Sequence, residues 1–231
     1  MTVRPSILFD LDGTLADTAR DLSATMNVLL AQHGRETLDI SHVRHMVGAG
    51  ARKIMERGFM LTGAPATEDE LTTLLDAFLV YYSNHIADHT VLFPGVHDQL
   101  SRLADAGCLL AVCTNKPEQL SRQLLDALDI THLFPVVLGG DSLPVKKPDP
   151  LHLTEAISRL GGSPDAAIMV GDSATDIDAA RAARLPSVCV SFGYTEIPPH
   201  ELGADHLIDH FDALPEALAR FLPDQASFFT R

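Results

Sequence analysis

The chain contains no tryptophan, three cysteines, four lysines and no long apolar run among its 231 residues. A membrane-spanning helix needs about 20 consecutive apolar residues, so the sequence predicts none. The apolar stretch at Ile7 meets Asp10 at once and is too short for a signal peptide. The cysteines show no CxxC or Cys/His spacing, which indicates free thiols rather than disulfides or a zinc site. We therefore expect a cytoplasmic protein that does not bind membranes.

The shortage of lysine leaves the chain strongly acidic. Its 31 Asp and Glu residues outnumber 17 Lys and Arg residues, which gives a net charge of −14. Such a chain repels a phosphate backbone, so we expect no general binding of nucleic acids. A hydrophobic content of 46% and a charged content of 21% are typical of a globular protein of one or two domains.

Short apolar segments alternate with helical patterns over most of the chain. The predicted strands cover residues 6–12, 108–115, 136–139, 167–171, 187–191 and, at the sheet edge, 204–208. The predicted helices between and after them cover residues 95–106, 117–128, 150–160, 174–182 and 213–221. This alternation predicts an α/β fold with a Rossmann-like parallel sheet and helices on both of its faces.

One insertion interrupts the alternation. Residues 18–89 contain no convincing strand, and Leu22, Met26 and Leu29 recur at helical spacing. We predict about four helices there, followed by a turn at Pro94 that returns the chain to the sheet. The expected domains are an α/β core of residues 1–17 and 91–231 and a helical cap of residues 18–90.

Polar residues follow four of the predicted strands. Parallel sheets bind ligands beyond the carboxyl ends of their strands, so these residues are candidates for one site. They are Asp10 and Asp12, Thr114 and Asn115, Lys146 and Lys147, and Asp172 and Asp176. Asp10 and Asp12 share a face if the first strand includes both, and Asp172 and Asp176 share a side if a helix includes both. A simple turn and a helix N-cap are the alternatives for these two pairs.

Converging carboxylates need a positive charge among them. Two carboxylates about 4 Å apart repel by roughly 4 kcal/mol at an effective dielectric constant of about 20. Mg²⁺ prefers carboxylate oxygens, and Lys147 supplies a second positive charge. A carboxylate nucleophile, a metal ion, a lysine and a hydroxyl group are the groups that phosphoryl transfer through an aspartyl-phosphate requires.

Four segments resemble the four motifs of the haloacid dehalogenase superfamily of phosphatases. In chain order they are residues 9–15 (FDLDGTL), 112–116 (VCTNK), 147–148 (KP) and 171–176 (GDSATD). The helical insert resembles the family's small cap, and the resemblance covers essentially the whole chain. Within the superfamily, the closest resemblance is to bacterial phosphoglycolate phosphatases. Three further segments support this narrower resemblance less specifically than the four motifs do. They are residues 47–51 (VGAGA), 139–142 (GGDS) and 191–194 (SFGY).

The resemblance implies a role for each site residue. Asp10 would attack phosphorus, and Asp12 would act as general acid and then as general base. Thr114 and the backbone of Asn115 would hold phosphoryl oxygens, and Lys147 would neutralise charge on Asp10 and the phosphoryl group. Mg²⁺ would be held by Asp10, the Asp12 carbonyl group and Asp172. Asp176 would orient these groups rather than bind the metal.

Several other polar residues have both a functional and a plain structural interpretation. The loop at Gly48 and Gly50 precedes a helix, so its N–H groups would favour an anionic substrate tail, unless the loop is a plain helix–helix turn. We expect Lys116 to be the solvated start of a helix. We expect Arg52 and the pairs His42/His45 and His85/His89 to lie on the solvated surface.

The expected function is hydrolysis of 2-phosphoglycolate to glycolate and phosphate by a Mg²⁺-dependent phosphomonoesterase, monomeric or homodimeric, acting on a small anionic phosphorylated metabolite. A phosphatase of a sugar phosphate or pyrophosphate, and a phosphoglucomutase, are alternatives on the same scaffold. A phosphonoacetaldehyde hydrolase would need Lys53 as its cap lysine, and Asp12 argues against that activity and against dehalogenation. A non-catalytic binding module is disfavoured because the set of motif residues is complete.

Overall fold

A computed structural model describes residues 3–48 and 50–229 of the chain. The strands are β1 (Ser6–Phe9), β2 (Ala16–Asp17), β3 (Val91–Leu92), β4 (Leu109–Cys113), β5 (Val136–Leu138), β6 (Ala167–Gly171), β7 (Ser187–Val190) and β8 (His206–Ile208). The helices are α1 (Ala19–Gln32), α2 (Ile40–Arg44), α3 (Ala51–Leu61), α4 (Glu68–Asn84), α5 (Val96–Asp105), α6 (Glu118–Ala127), α7 (Leu151–Leu160), α8 (Ala174–Ala183) and α9 (Leu214–Phe221). In this part of the chain, no helix combines the length and the apolar character that a membrane span requires.

Six parallel strands form the main sheet in the order β5-β4-β1-β6-β7-β8, which confirms the predicted fold class. All four residues of the central strand β1 are buried. Phe9, at the end of β1, lies opposite Val112 on one neighbouring strand and Val170 on the other. Because β1, β4 and β6 end nearly level, the residues that follow them emerge at the same edge of the sheet.

The alternating side chains of β1 contribute to two separate hydrophobic clusters. Ile7 and Phe9 belong to a cluster that includes residues of α5, α9 and the helical insert. Leu8 belongs to a second cluster that includes residues of α7 and α8. Helices therefore cover both faces of the sheet, as expected for buried parallel strands.

The predicted end of the first strand was wrong, and this changes how Asp10 and Asp12 are placed. The first strand ends at Phe9 rather than Asp12, because the carbonyl oxygen of Leu11 accepts hydrogen bonds from the N–H groups of Leu15 and Ala16 in a turn. Asp10 and Asp12 are therefore not two steps along one regular strand. Helix α8 begins at Ala174, as predicted, so Asp172 precedes the helix and does not share a helical side with Asp176. The N-cap alternative holds instead, since Ser173 caps the helix and Asp176 lies in its first turn.

Helices α1 to α4 occupy the segment in which the sequence predicts about four helices. The chain leaves the sheet through β2 and returns through β3, and these two short strands pair antiparallel, with Asp17 opposite Val91. The buried Asp21 on α1 accepts hydrogen bonds from the backbone N–H groups of His89 and Thr90. The first helix of the insert and the returning segment are therefore bound to each other at the base of the insert.

Candidate active site

Asp10 lies directly after β1 at the centre of the sheet and is only 3% exposed. Its backbone N–H donates to the carbonyl oxygen of Val170, so the peptide is held by the neighbouring strand β6. Its carboxylate Oδ1 lies 2.9 Å from Nζ of Lys147. The structure thus brings together a buried carboxylate and a buried ammonium group at the edge where the parallel strands end.

Lys147 bridges two carboxylates, since its Nζ also lies 2.5 Å from Oδ1 of Asp176. Burial opposes the charge of Lys147, but Asp10 and Asp176 outweigh burial and raise the pKa of this lysine above its ordinary value. Its neighbour Lys146 is exposed. Of the two adjacent lysines, the one that the sequence predicts for the site is the one that contacts the carboxylates.

Asp172 and Asp176 follow β6 and are held by the start of α8. Ser173 is the N-cap residue, and Asp176 at the third helical position completes a capping box with it. Oδ2 of Asp176 accepts from the backbone N–H groups of Asp172 and Ser173, while Oδ1 faces Lys147. Both oxygens of Asp176 are therefore already bonded. Asp172 accepts from the Thr14 hydroxyl group and the Tyr194 N–H group.

Three carboxylate oxygens, one each from Asp10, Asp172 and Asp176, lie within 4.8 Å of one another, and all three residues are buried. Burial is the main cause that raises the pKa of Asp10 to about 6, against the attraction of Lys147. Burial, Asp176 and Asp10 raise the pKa of Asp172 well above its ordinary value. One lysine does not neutralise three crowded carboxylates, and an all-oxygen set of this kind fits a hard divalent cation.

Gly13 allows Asp172 to approach the turn after β1. Its φ of +85° is in the region that favours glycine, and a Cβ atom there would lie 2.4 Å from Oδ2 of Asp172. A side chain at this position would therefore displace the Asp172 carboxylate from the cluster.

Thr114 and Asn115 follow β4 and are buried beside the carboxylates. The Thr114 hydroxyl oxygen accepts from the backbone N–H of Lys116. The Asn115 side chain, for which the sequence predicted no role, donates through Nδ2 to the carbonyl oxygens of Gly48 and Lys147, each at 3.1 Å. It thus connects the loop before α3 with the segment that carries the buried lysine.

Lys116 is 6% exposed, so the prediction of a solvated lysine was wrong. Helix α6 begins only at Glu118, and Lys116 therefore lies in the loop that crosses the strand ends. Its Nζ donates to Oδ1 of Asp12 at 3.0 Å and to the Tyr82 hydroxyl oxygen at 2.8 Å. These two partners compensate the cost of burying the ammonium group.

A small cavity opens above Asp10 and Asp12. The insert contributes an apolar wall, whose members are Leu22, Val47, Ala51, Ile54, Phe78 and Leu79. Gly48 and Gly50 also line the cavity, and Gly50 is the N-cap residue of α3. Ala49, the middle residue of the predicted loop, lies outside the described residues. The described part of this loop faces the cavity, as the sequence predicted.

The remaining candidates lie away from the cavity. Arg52 is half-buried and forms ion pairs with Glu56 and Glu68 within the insert. His42, His45 and His89 are exposed and His85 is half-buried. Full exposure therefore holds for three of the four histidines, while Arg52 and His85 are partly covered.

Comparisons with known proteins identify the family. The sequence profile of the haloacid dehalogenase-like hydrolases matches residues 7–190. A phosphoglycolate phosphatase of Caulobacter vibrioides is 46% identical over 217 residues, which are 94% of this chain and 92% of that protein. A phosphoglycolate phosphatase of Mesorhizobium japonicum is 44% identical, over 95% of this chain and 96% of that protein.

Solved structures share the fold. A predicted phosphoglycolate phosphatase from Haemophilus somnus superposes with a TM-score of 0.88 at 33% identity, over 94% of this chain and 99% of that chain. CbbY from Rhodobacter sphaeroides, solved in complex with xylulose-1,5-bisphosphate, gives a TM-score of 0.76 at 27% identity, over 90% of this chain and 95% of that chain. With the family profile covering most of the sheet strands and all four motifs, the chain belongs to the haloacid dehalogenase-like hydrolases and is a phosphatase of that family.

Proposed function

We propose that this phosphatase hydrolyses 2-phosphoglycolate to glycolate and phosphate through an aspartyl-phosphate on Asp10. The observation that carries the proposal is the ion pair of Asp10 with Lys147, buried at the end of β1 below a small cavity that also contains Asp12. A buried carboxylate beside a fixed positive charge is suited to attack an anionic phosphorus centre, because the lysine offsets the repulsion between the two anions.

In the first step, a carboxylate oxygen of Asp10 forms a bond to phosphorus while the bond from phosphorus to the substrate's alkoxy oxygen breaks. Asp12, in its protonated form, donates its proton to that oxygen, and the alcohol leaves. The Thr114 hydroxyl group and the Asn115 backbone N–H hold phosphoryl oxygens, and Lys147 stabilises the charge on them.

In the second step, water attacks phosphorus and the bond from phosphorus to Asp10 breaks. Asp12, now ionised, accepts the proton of the water molecule, so that phosphate and the starting form of both carboxyl groups are restored. Mg²⁺ would be held by Asp10, the main-chain carbonyl of Asp12 and Asp172, and would supply charge neutralisation at the phosphoryl oxygens. Asp176 would keep Lys147 and the start of α8 in position.

We further propose that residues 18–90 act as a cap over a core formed by residues 1–17 and 91–231. The apolar side chains that α1, α3 and α4 direct into the cavity support this division. A cap that excludes water strengthens each charge interaction at the reacting atoms, and it protects the phosphorylated carboxylate from uncontrolled access.

The choice of a small substrate rests on the cavity wall and on the names of the relatives. Among the described residues that line the cavity, Lys116 is the one cation. The ammonium group of Lys116 is already paired with Asp12, so the wall offers little positive charge to the leaving group, which favours a small one. The complex of CbbY with xylulose-1,5-bisphosphate makes a sugar bisphosphate the second candidate. A second phosphate would need more positive charge than this wall provides.

A kinetic panel of phosphorylated metabolites tests the choice of substrate. We expect kcat/KM for 2-phosphoglycolate to exceed that for sugar phosphates, sugar bisphosphates and pyrophosphate by at least about tenfold, which corresponds to roughly 1.4 kcal/mol. A preference for xylulose-1,5-bisphosphate of the same size would replace the first candidate by the second.

Mg²⁺ is expected to stabilise the folded protein, and more strongly at about pH 7.5 than at about pH 5. The pKa of Asp10 in the folded protein is about 6, against 3.8 ordinarily. The metal-free protein therefore becomes less stable as pH rises from about 4 to about 6, because the folded state must release a proton that the unfolded chain has already lost. Protons compete with Mg²⁺ for Asp10 at pH values below about 6, which include pH 5 but not pH 7.5.

Thermal unfolding in EDTA and in Mg²⁺ measures this effect. At a metal concentration about 100 times Kd we expect a gain of roughly 2.7 kcal/mol, or about 5–10 °C in Tm. Asp172→Asn should lose the gain, while Asp209→Asn, which changes an exposed carboxylate, should keep it. A gain of the same size at both pH values would contradict the assignment of the carboxylate cluster to the metal.

Gly50→Val is expected to lower kcat/KM for 2-phosphoglycolate about tenfold more than for p-nitrophenyl phosphate. Gly50 has a φ of +95°, and a Cβ atom there would lie 3.5 Å from the Asn115 carbonyl oxygen at the cavity wall. Gly34→Val is the matched control, because Gly34 also has a positive φ but has no atom within 4 Å of its Cβ position. Equal losses on both substrates would remove this loop from substrate recognition.

A further inference from the structure

A row of three buried polar groups joins the Asp12 carboxylate to the helical insert. Asp12 is 9% exposed, Lys116 is 6% exposed and Tyr82 is 1% exposed. Nζ of Lys116 lies 3.0 Å from Oδ1 of Asp12, 3.3 Å from its Oδ2 and 2.8 Å from the Tyr82 hydroxyl oxygen. Asp12 and Lys116 follow strands of the sheet, whereas Tyr82 belongs to α4, so the row crosses from one part of the molecule to the other.

The contacts on Lys116 fix its ammonium group in one place. A lysine ammonium has three donors and no acceptor, and here the Asp12 carboxylate and the Tyr82 hydroxyl oxygen take them up. The ammonium also lies 4.3 Å from the centroid of the Tyr82 ring, where the aromatic face attracts a cation. Burial raises the pKa of Tyr82 well above its ordinary value, as do Asp12 and Asp21, so its hydroxyl group stays neutral and accepts.

The preceding residue makes a parallel connection. Asn115 donates to the carbonyl oxygen of Gly48 in the insert and to that of Lys147 in the sheet domain. Two consecutive residues after β4 therefore connect the insert with two segments that carry charged groups of the site. Asn115 reaches the segment of the buried lysine, and Lys116 reaches the carboxylate of Asp12.

We propose that Lys116 and Tyr82 are positioning residues that align the Asp12 carboxyl group for proton transfer to the leaving group. Tyr82 fixes Lys116, and Lys116 fixes both oxygens of Asp12. Helix α4, which lines part of the cavity, thereby also aligns the carboxyl group of Asp12. Proton transfer then depends on how α4 packs against the ends of the strands. The inference rests on the proposed function in one respect, namely that Asp12 is the general acid.

Substrates whose leaving groups differ in basicity show whether Lys116 and Tyr82 align Asp12 or only pack in the interior. The alkoxide of an alkyl phosphate needs a proton as it leaves, whereas p-nitrophenolate does not. A well-placed general acid contributes about 10²–10⁴ in rate. We expect Tyr82→Phe to lower kcat/KM for 2-phosphoglycolate about tenfold and Lys116→Met about 100-fold. For p-nitrophenyl phosphate we expect less than about a twofold change, since kcat/KM there reports steps up to loss of the phenolate.

Ethyl phosphate distinguishes positioning from binding of the substrate's carboxylate. It has an alkyl leaving group but no second anion, so misaligned Asp12 lowers its turnover as much as that of 2-phosphoglycolate. We expect the same loss for both alkyl phosphates in each variant. A loss confined to 2-phosphoglycolate would overturn the inference and make Lys116 a ligand of the carboxylate.

Two control variants change residues of the same types outside the Asp12–Lys116–Tyr82 row. Tyr81→Phe changes the neighbouring tyrosine of α4, whose ring stacks on His85, and Lys53→Met removes an exposed lysine paired with Glu56. Neither control should change the ratio of alkyl to aryl kcat/KM. That ratio is measured on one preparation of each variant, so a partly unfolded fraction cancels.

Asp12→Asn separates failure of the inference from failure of the proposed function. If Asp12→Asn leaves the alkyl-to-aryl ratio unchanged, Asp12 is not the general acid, and both the proposed mechanism and the inference are overturned. If Asp12→Asn lowers the ratio while Tyr82→Phe and Lys116→Met leave it unchanged, the inference alone is overturned. A selective loss in all three variants supports both.

Discussion

Asp10→Asn is expected to reduce phosphate release by at least about 10⁴-fold, because loss of a nucleophile removes the covalent route entirely. The substitution is nearly isosteric and replaces a buried carboxylate by a neutral amide. Lys147 keeps its contact with Asp176 at 2.5 Å, so the buried ammonium group retains an anionic partner. The fold should therefore remain intact, with a Tm close to that of the unchanged protein in EDTA.

Steady-state phosphate release and thermal unfolding measure the two halves of this prediction. Asp98→Asn changes a carboxylate with 84% side-chain exposure and should alter neither quantity. Mass spectrometry of rapidly quenched reactions should find one added phosphoryl group on the unchanged protein and none on Asp10→Asn. Full activity in Asp10→Asn would refute the assignment of the nucleophile.

Lys147→Met should reduce both activity and stability. The change leaves Asp10 and Asp176 without their cation in a buried site, and breaking a buried ion pair from one side typically costs about 3–5 kcal/mol. In EDTA this corresponds to a fall in Tm of roughly 10 °C for a chain of this size. Loss of charge stabilisation at the phosphoryl group should lower kcat by about 10²–10³-fold.

Lys146→Met provides the control from the adjacent position. Lys146 is exposed, so its replacement should change stability by no more than about 0.5 kcal/mol. The comparison requires only Tm in EDTA and kcat in saturating Mg²⁺ for the two variants. Larger losses in Lys146→Met than in Lys147→Met would show that the buried lysine is not the one that serves the reaction.

The carboxylate cluster could be predicted from the sequence because a parallel sheet gathers distant segments at one edge. Asp10, Lys147 and Asp172 are far apart in the chain, but each follows a short apolar run or lies in a motif with a fixed place in such a sheet. The topology alone then implies their proximity. The end of β1 was harder to predict, because the apolar Leu11 continues the strand pattern while its carbonyl oxygen already belongs to the following turn.

The environment of Lys116 could not be predicted by the same argument. Its partner Tyr82 lies on a helix of the insert, and helical periodicity indicates which residues of that helix are buried but not what they contact. Only the packing of α4 against the strand ends brings the Tyr82 hydroxyl oxygen to 2.8 Å from Nζ of Lys116. Long-range pairs between an insert and the domain that carries it depend on orientation, which local sequence patterns do not encode.

The paired strands β2 and β3 have an evolutionary consequence. Residues paired across an antiparallel ladder have Cα atoms only about 5 Å apart, so the two ends of the insert meet at one point on the sheet domain. An element attached in this way can be lengthened, shortened or replaced without rerouting the chain through the sheet. Most of the insert can therefore vary while the strand ends that hold the buried carboxylates stay unchanged, and Asp17 and Val91 mark the boundary between the two parts.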